Sequence, residues 1–215
     1  MKALGIPIVA ALILTGAGCS SGSHEEESPK AEKLCDGAVS SSAETALEKL
    51  TGASAISSSM GSASRTPQDL RKMALDWGVE GDPWKSNTER WFCSVGDREK
   101  EKTLGIGSSW SLVDFSYASA EINKGSKKYL KVSPDAIIEK EGNGRVDVYF
   151  PCQVTGGGKE TATYTLEVDV STELSDTADA PTEVNKVILS VARWMSSEVS
   201  CENAPDIPAS AQPSG

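Results

Sequence analysis

Histidine is nearly absent: the 215-residue chain has one, His24. Base catalysis through a Ser-His-Asp or Cys-His arrangement needs an imidazole fixed at hydrogen-bond distance from its nucleophile. His24 stands in a polar stretch, "SSGSHEEESPKAEK", that has nothing to bury. No S-x-x-K occurs, which removes a histidine-free Ser-Lys hydrolase. No C-x-x-C pair occurs either, and with the single histidine this argues against a metal site. "TGGGKE" lacks P-loop spacing, "GIGSSW" lacks the third glycine of a dinucleotide loop, and "EGNG" lacks the acidic ligands of a calcium loop. Nothing asks for a cofactor. Cations are also short, 21 Lys and Arg against 31 Asp and Glu, for a net charge of -10. Such a surface repels nucleic acid and anionic headgroups.

The uncharged run from Ala3 to Gly18, behind Lys2, is too short to span a bilayer, which takes about 20 apolar residues. A basic start, an apolar middle and small residues before a cut have the form of an export signal, residues 1–18. Within "LTGAGCSS" a cysteine follows Gly16-Ala17-Gly18 directly. This resembles the bacterial lipobox, whose thiol receives diacylglycerol and becomes residue one. Cys19 is therefore the expected lipidation site, with Gly16 where the pattern usually has Leu. Two or three acyl chains of the palmitate kind anchor stably where one holds marginally. The expected location is the outer, extracytoplasmic face of the cell membrane. Residues 19–33 read as a disordered tether, 34–203 as one domain and 204–215 as a disordered tail, with the unstructured composition already setting in at Glu202.

Export makes the other cysteines legible. Cys35, Cys93, Cys152 and Cys201 are even in number, so two disulfides are expected. Of three connectivities, Cys35–Cys93 with Cys152–Cys201 joins a helix edge to a strand in each case.

Helical spacing marks "SSAETALEKLTG", with Ser41 and Glu44 as a capping box and Gly52 as the stop. It marks "TPQDLRKMALDWG" again, with Thr66 as cap, Pro67 in the first turn and Gly78 ending the helix. The serine-rich "ASAISSSMGSASR" between them reads as a loop. Alternation then predicts strands at "RWFCSV", along "TLGIGSSWSLVDFSY" with a bulge near Leu112, through a hairpin in "DAIIEKEGNGRVDVYFPC", and at "TATYTLEVDV". The segment "PTEVNKVILSVARWMSSEVSC" is the strongest helix, carrying Cys201 back towards Cys152. The order predicts an α+β fold, an antiparallel sheet packed by N-terminal helices and a long C-terminal helix.

"LCDG" before a capped helix, "VYFPC" ending a strand, and a closing helix running into "SCENAPDIP" together resemble a group of uncharacterised actinobacterial cell-surface lipoproteins. The resemblance spans most of the chain. It implies surface placement and the same cysteine pairing, and no chemistry.

Two candidate sites remain. Asp147, Glu167 and Asp169 share the polar side of neighbouring strand patterns, and alternating charge on a solvated face accounts for them. Two carboxylates in one cleft would instead suit a glycoside hydrolase. Trp77, Trp110 and Trp194 fall on apolar faces and read as core. Trp84, on a Gly- and Pro-interrupted loop, has two readings: a lid folded back over the core, or an exposed indole that stacks on a sugar or docks a partner and is then the candidate ligand-binding residue. The expected function is non-enzymatic: a membrane-anchored binding or envelope-scaffold domain. Its expected partners are the membrane through the lipid, and envelope polysaccharide, a small apolar ligand or another envelope protein; no nucleic acid is expected. A carboxylate-dependent cell-wall hydrolase is the alternative.

Overall fold

Period-two alternation through Val146, Val148, Phe150, Cys152 and Val154 builds the longest central strand and turns one face of the sheet into a greasy floor. The computed structural model describes residues 34–52, 56–60, 65–80, 90–97, 102–140, 144–155, 161–172 and 180–211. Within them lie seven strands: β1 Ser57–Met60, β2 Arg90–Asp97, β3 Lys102–Trp110, β4 Tyr129–Ser133, β5 Ala136–Lys140, β6 Arg145–Thr155 and β7 Thr161–Thr172. They form one antiparallel sheet in the order β1-β2-β3-β7-β6-β5-β4. Four helices accompany it: α1 Ser41–Thr51, α2 Thr66–Glu80, α3 Phe115–Asn123 and α4 Ala180–Glu198. The fold is α+β.

The apolar face packs against α1, α2 and α4. Ala43, Ala46, Leu47 and Leu50 of α1 and Val184, Val187, Ile188, Val191 and Met195 of α4 are buried in one cluster with Leu70 and Ala74 of α2. Trp110 lies in it with its indole N–H donated to the Leu70 carbonyl at 2.9 Å, and Phe92 stacks on Trp194 at 5.7 Å. Two disulfides, Cys35–Cys93 and Cys152–Cys201, join residues 58 and 49 apart. Each closes a loop worth about 4 kcal/mol in the chain-entropy model. Cys35 and Asp36 sit at φ 52° and 57°, followed by Gly37 at 90°. The "CDG" run is thus a left-handed corner that delivers the Cys35 sulfur to β2, with the bridge holding the strained residues in place.

Several local expectations give way. The helix α1 starts behind Ser40, not through a Ser41–Glu44 box, and Ser40 makes no side-chain capping bond. The helix α2 runs through Gly78 to Glu80. The serine-rich loop contains β1, whose Ser58 hydroxyl accepts from the Cys35 N–H at 3.3 Å. The strand pattern past Leu112 is instead α3, capped by Asp114 accepting from Ser116 N at 2.7 Å. That bond holds the Asp114 carboxyl below its ordinary range.

The largest revision concerns the tail. Residues 202–211 were expected to be disordered, yet Ile207 is buried and Ala211 packs on the core. Beyond Tyr149 the strand β6 loses β5 as a neighbour, and its outward backbone groups need partners. Glu202 N donates to Gln153 O at 2.9 Å, and Gln153 N donates to Asn203 Oδ1 at 2.9 Å. Asn203 Nδ2 donates to Pro151 O at 2.9 Å, while Thr155 N and its hydroxyl donate to the Glu202 carboxylate at 3.0 and 2.7 Å. Two side chains thus stand in for a missing strand. Further along, Ser133 Oγ donates to Asp206 O at 2.5 Å and Asp206 N to Asp135 Oδ2 at 3.1 Å.

Candidate functional site

Register puts an unusual set of residues on the opposite face of the sheet. Glu139 opposes Asp147, Asp147 opposes Asp169, Asp169 opposes Gly107, and Gly107 opposes Trp91, one row across five strands. The next row runs Ile137, Tyr149, Glu167 and Ser109. The helix α3 touches β4, β5 and β6, and Phe115 N donates to the Thr165 hydroxyl at 3.0 Å, so its start lies on this same face.

Glu139, Asp147 and Asp169 are 2%, 1% and 0% exposed. The expected solvated face is therefore wrong for two of the three carboxylates proposed from the sequence: Asp147 and Asp169 are buried, and Glu167 is partly so. The three converge on Arg145. Its Nε donates to Asp147 Oδ1 at 2.8 Å, and Nη2 lies 3.1 Å from Glu167 Oε1 and 4.0 Å from Asp169 Oδ1. Ser111 Oγ donates to Glu167 Oε2 at 2.8 Å. Glu139, directly opposite Asp147, has partners of its own: it is ion-paired with Lys128 and accepts from the Tyr149 hydroxyl at 2.9 Å.

Directly opposed side chains have Cβ atoms about 5 Å apart, and like charges there destabilise a sheet. At an effective dielectric of about 20, two unit charges at that distance repel by about 3 kcal/mol. The row holds two such contacts, and the Arg145 guanidinium and Lys128 offset them. Burial, followed by the fields of Glu167, Asp147 and Glu139, pushes the Tyr149 phenol far above its ordinary value, so it remains a proton donor. The Arg145 guanidinium, at hydrogen-bond distance from Asp147 and Glu167 and 4.0 Å from Asp169, offsets part of the repulsion among them.

Glycines shape the rest of the row. A Cβ on Gly107 would lie 2.5 Å from Asp169 Oδ1, and one on Gly105 would lie 2.6 Å from Cζ3 of Trp91. The bare backbone lets the Asp169 carboxylate and the six-membered ring of Trp91 lie down on β3. A bulge between Trp91 and Cys93 re-aims the strand beside the site. Trp91 remains 47% exposed, while Trp110 is core and Trp194 stacks on Phe92. The indole that stands beside the carboxylates is thus Trp91, which the sequence reading left unassigned. Its signal is the alternating "GIG" of β3, two missing side chains that leave room for an aspartate carboxylate over Gly107 and an indole over Gly105.

Cys19, His24 and Trp84 lie outside the described residues. Among the described residues no group of His, Cys, Asp and Glu is placed to hold a metal ion, and no helix is long and apolar enough to cross a membrane. A separate open groove of about 480 Å³ lies at the C-terminal end of α4, lined by Arg193, Ser196, Ser197, Ser200, Cys201 and Ile207 among others. No family model, curated protein or solved structure matches the chain.

Proposed function

We propose that this chain is an exported surface lipoprotein, anchored through diacylglycerol on Cys19, whose α+β domain binds envelope polysaccharide without turning it over. The export signal, the lipobox-like "GAGC" and the resemblance to actinobacterial surface lipoproteins support the placement. One observation carries the binding reading: Trp91 lies exposed on Gly105 at the end of a buried, charge-fixed row. An indole with one side on the sheet and the rest open offers a stacking surface for a sugar ring, and ordered polar groups beside it select hydroxyl geometry. Buried polar groups whose positions are set before the ligand arrives reduce the ordering cost of binding.

Titration of the purified chain with soluble cell-wall polysaccharide, followed by intrinsic tryptophan fluorescence and calorimetry, tests this. Trp91→Ala should weaken binding by about 2 kcal/mol or more, the scale of a buried aromatic anchor. Binding that survives Trp91→Ala and disappears with Trp84→Ala would move the site to the 81–89 segment. The hydrolase alternative has one observation in its favour, the burial of Asp147 and Asp169 in one cluster with Glu167. It requires release of reducing sugar that Asp147→Asn or Glu167→Gln abolishes.

A further inference from the structure

The two disulfides differ in access. Cys35 and Cys152 are fully buried and Cys93 is 5% exposed, whereas Cys201 is partly exposed and lines the groove at the end of α4. Thiol–disulfide exchange needs a thiolate to reach one sulfur along the S–S axis, so access decides which bridge reacts. The carbonyl end of a helix repels an incoming anion. Here Arg71 covers it, with Nη1 donating to Val199 O at 2.8 Å and to Ser200 O at 3.2 Å, and Arg193 stands in the groove, donating to Pro208 O at 2.6 Å. One cation, Arg193, therefore lines the approach to Cys201 while Arg71 neutralises the carbonyl end of α4 beside it, a setting that favours thiolate chemistry.

We infer that Cys201 is the exchange site for an external dithiol reductant, and that the Cys152–Cys201 bridge is a latch holding the tail over the open edge of β6. A thiolate of the reductant attacks Sγ of Cys201. The Cys152–Cys201 bond breaks, its electron pair leaves on Cys152 Sγ, and that sulfur takes a proton from water. The second thiol of the reductant then attacks the mixed disulfide, closes its own disulfide and releases Cys201, which is protonated in turn. Two electrons and two protons pass to the protein.

The consequence follows from the next two residues. Glu202 and Asn203 supply the partners of Gln153 N and O, Pro151 O and Thr155 N, and only the bridge pins them covalently to β6. Without it the segment can lift, and a strand edge with unpaired N–H and C=O groups is a template for another strand. The partner this edge fits is an extended peptide added by backbone pairing.

The test treats the full chain with dithiothreitol, traps thiols with iodoacetamide over time, and maps them by mass. Cys152 and Cys201 should be alkylated at least about tenfold faster than Cys35 and Cys93. Hydrogen exchange should rise at Gln153, Thr155 and residues 202–208 and stay slow at Leu166–Val170. Ser197→Trp, which fills the groove from an exposed helix position, should slow reduction of Cys152–Cys201 and leave Cys35–Cys93 unchanged. Equal or earlier opening of Cys35–Cys93, reduction without loosening of the tail, or no effect of the tryptophan would each overturn the inference.

Discussion

Arg145 decides whether the second face of the sheet is stable. Its guanidinium is the cation that Asp147, Glu167 and Asp169 share, and two of those carboxylates are out of water. Removing one partner of a buried ion cluster leaves uncompensated charge and costs about 3–5 kcal/mol. Arg145→Met should lower stability by that amount in urea unfolding, and adding Asp147→Asn and Asp169→Asn should recover a substantial part. A loss below about 1 kcal/mol would mean that the row is solvated after all. Gly107→Ala tests the same packing from below, since its Cβ would stand 2.5 Å from the carboxylate of the fully buried Asp169 and one of the two must shift. A cost of about 1–3 kcal/mol is expected, the usual range for overpacking.

Elements divide by how locally they are specified. The 3.6-residue spacing of Ala43, Ala46, Leu47 and Leu50 and the broad stripe of α4 make those helices readable from sequence, as period two does for β6 and β7, while β5 is readable only as the first arm of the hairpin into β6. The strand β1 was not readable, because "SSSM" has no apolar alternation and exists through pairing with β2. The helix α3 was misread because Val113, Phe115 and Tyr117 alternate, while the deciding feature is one hydrogen bond from Asp114. Asp114→Ala should therefore unravel α3 selectively, at about 1 kcal/mol. The tail was misread for a related reason: its composition is that of a disordered segment, and its order comes from two polar side chains answering a strand edge elsewhere. The shared side of Asp147, Glu167 and Asp169 was legible from parity. Their burial depends on register across five strands, which parity does not supply.

The tail also carries a pH dependence. Hydrogen bonds from Thr155 hold the Glu202 carboxyl below its ordinary value. A lowered folded-state pKa gives a contribution that is present above the unfolded value, about 4.3, and is lost as pH falls through the folded one. The Thr155 amide should exchange faster on acidification through that window, while amides in β7 do not follow. Exchange that is insensitive to acid would separate Glu202 from the tail's order.

At the scale of the molecule, charge, cysteines and leader describe one physical situation. An acidic chain has no electrostatic hold on an anionic membrane, so the proposed surface placement requires a covalent one, and the two disulfides that brace the sheet suit the oxidising medium that placement implies. A row of opposed carboxylates is an expensive feature for a structural scaffold, and such local conflicts are where function is expected. Under the proposed function, export and anchoring are what would bring Trp91 to wall polymers outside the cell. The most direct test is the intact mass of the chain extracted from membranes of its producing cell. The account predicts residues 19–215 carrying diacylglycerol on Cys19, with four hydrogens missing for two closed bridges. A mass equal to residues 1–215, unacylated and with five free thiols, would contradict it.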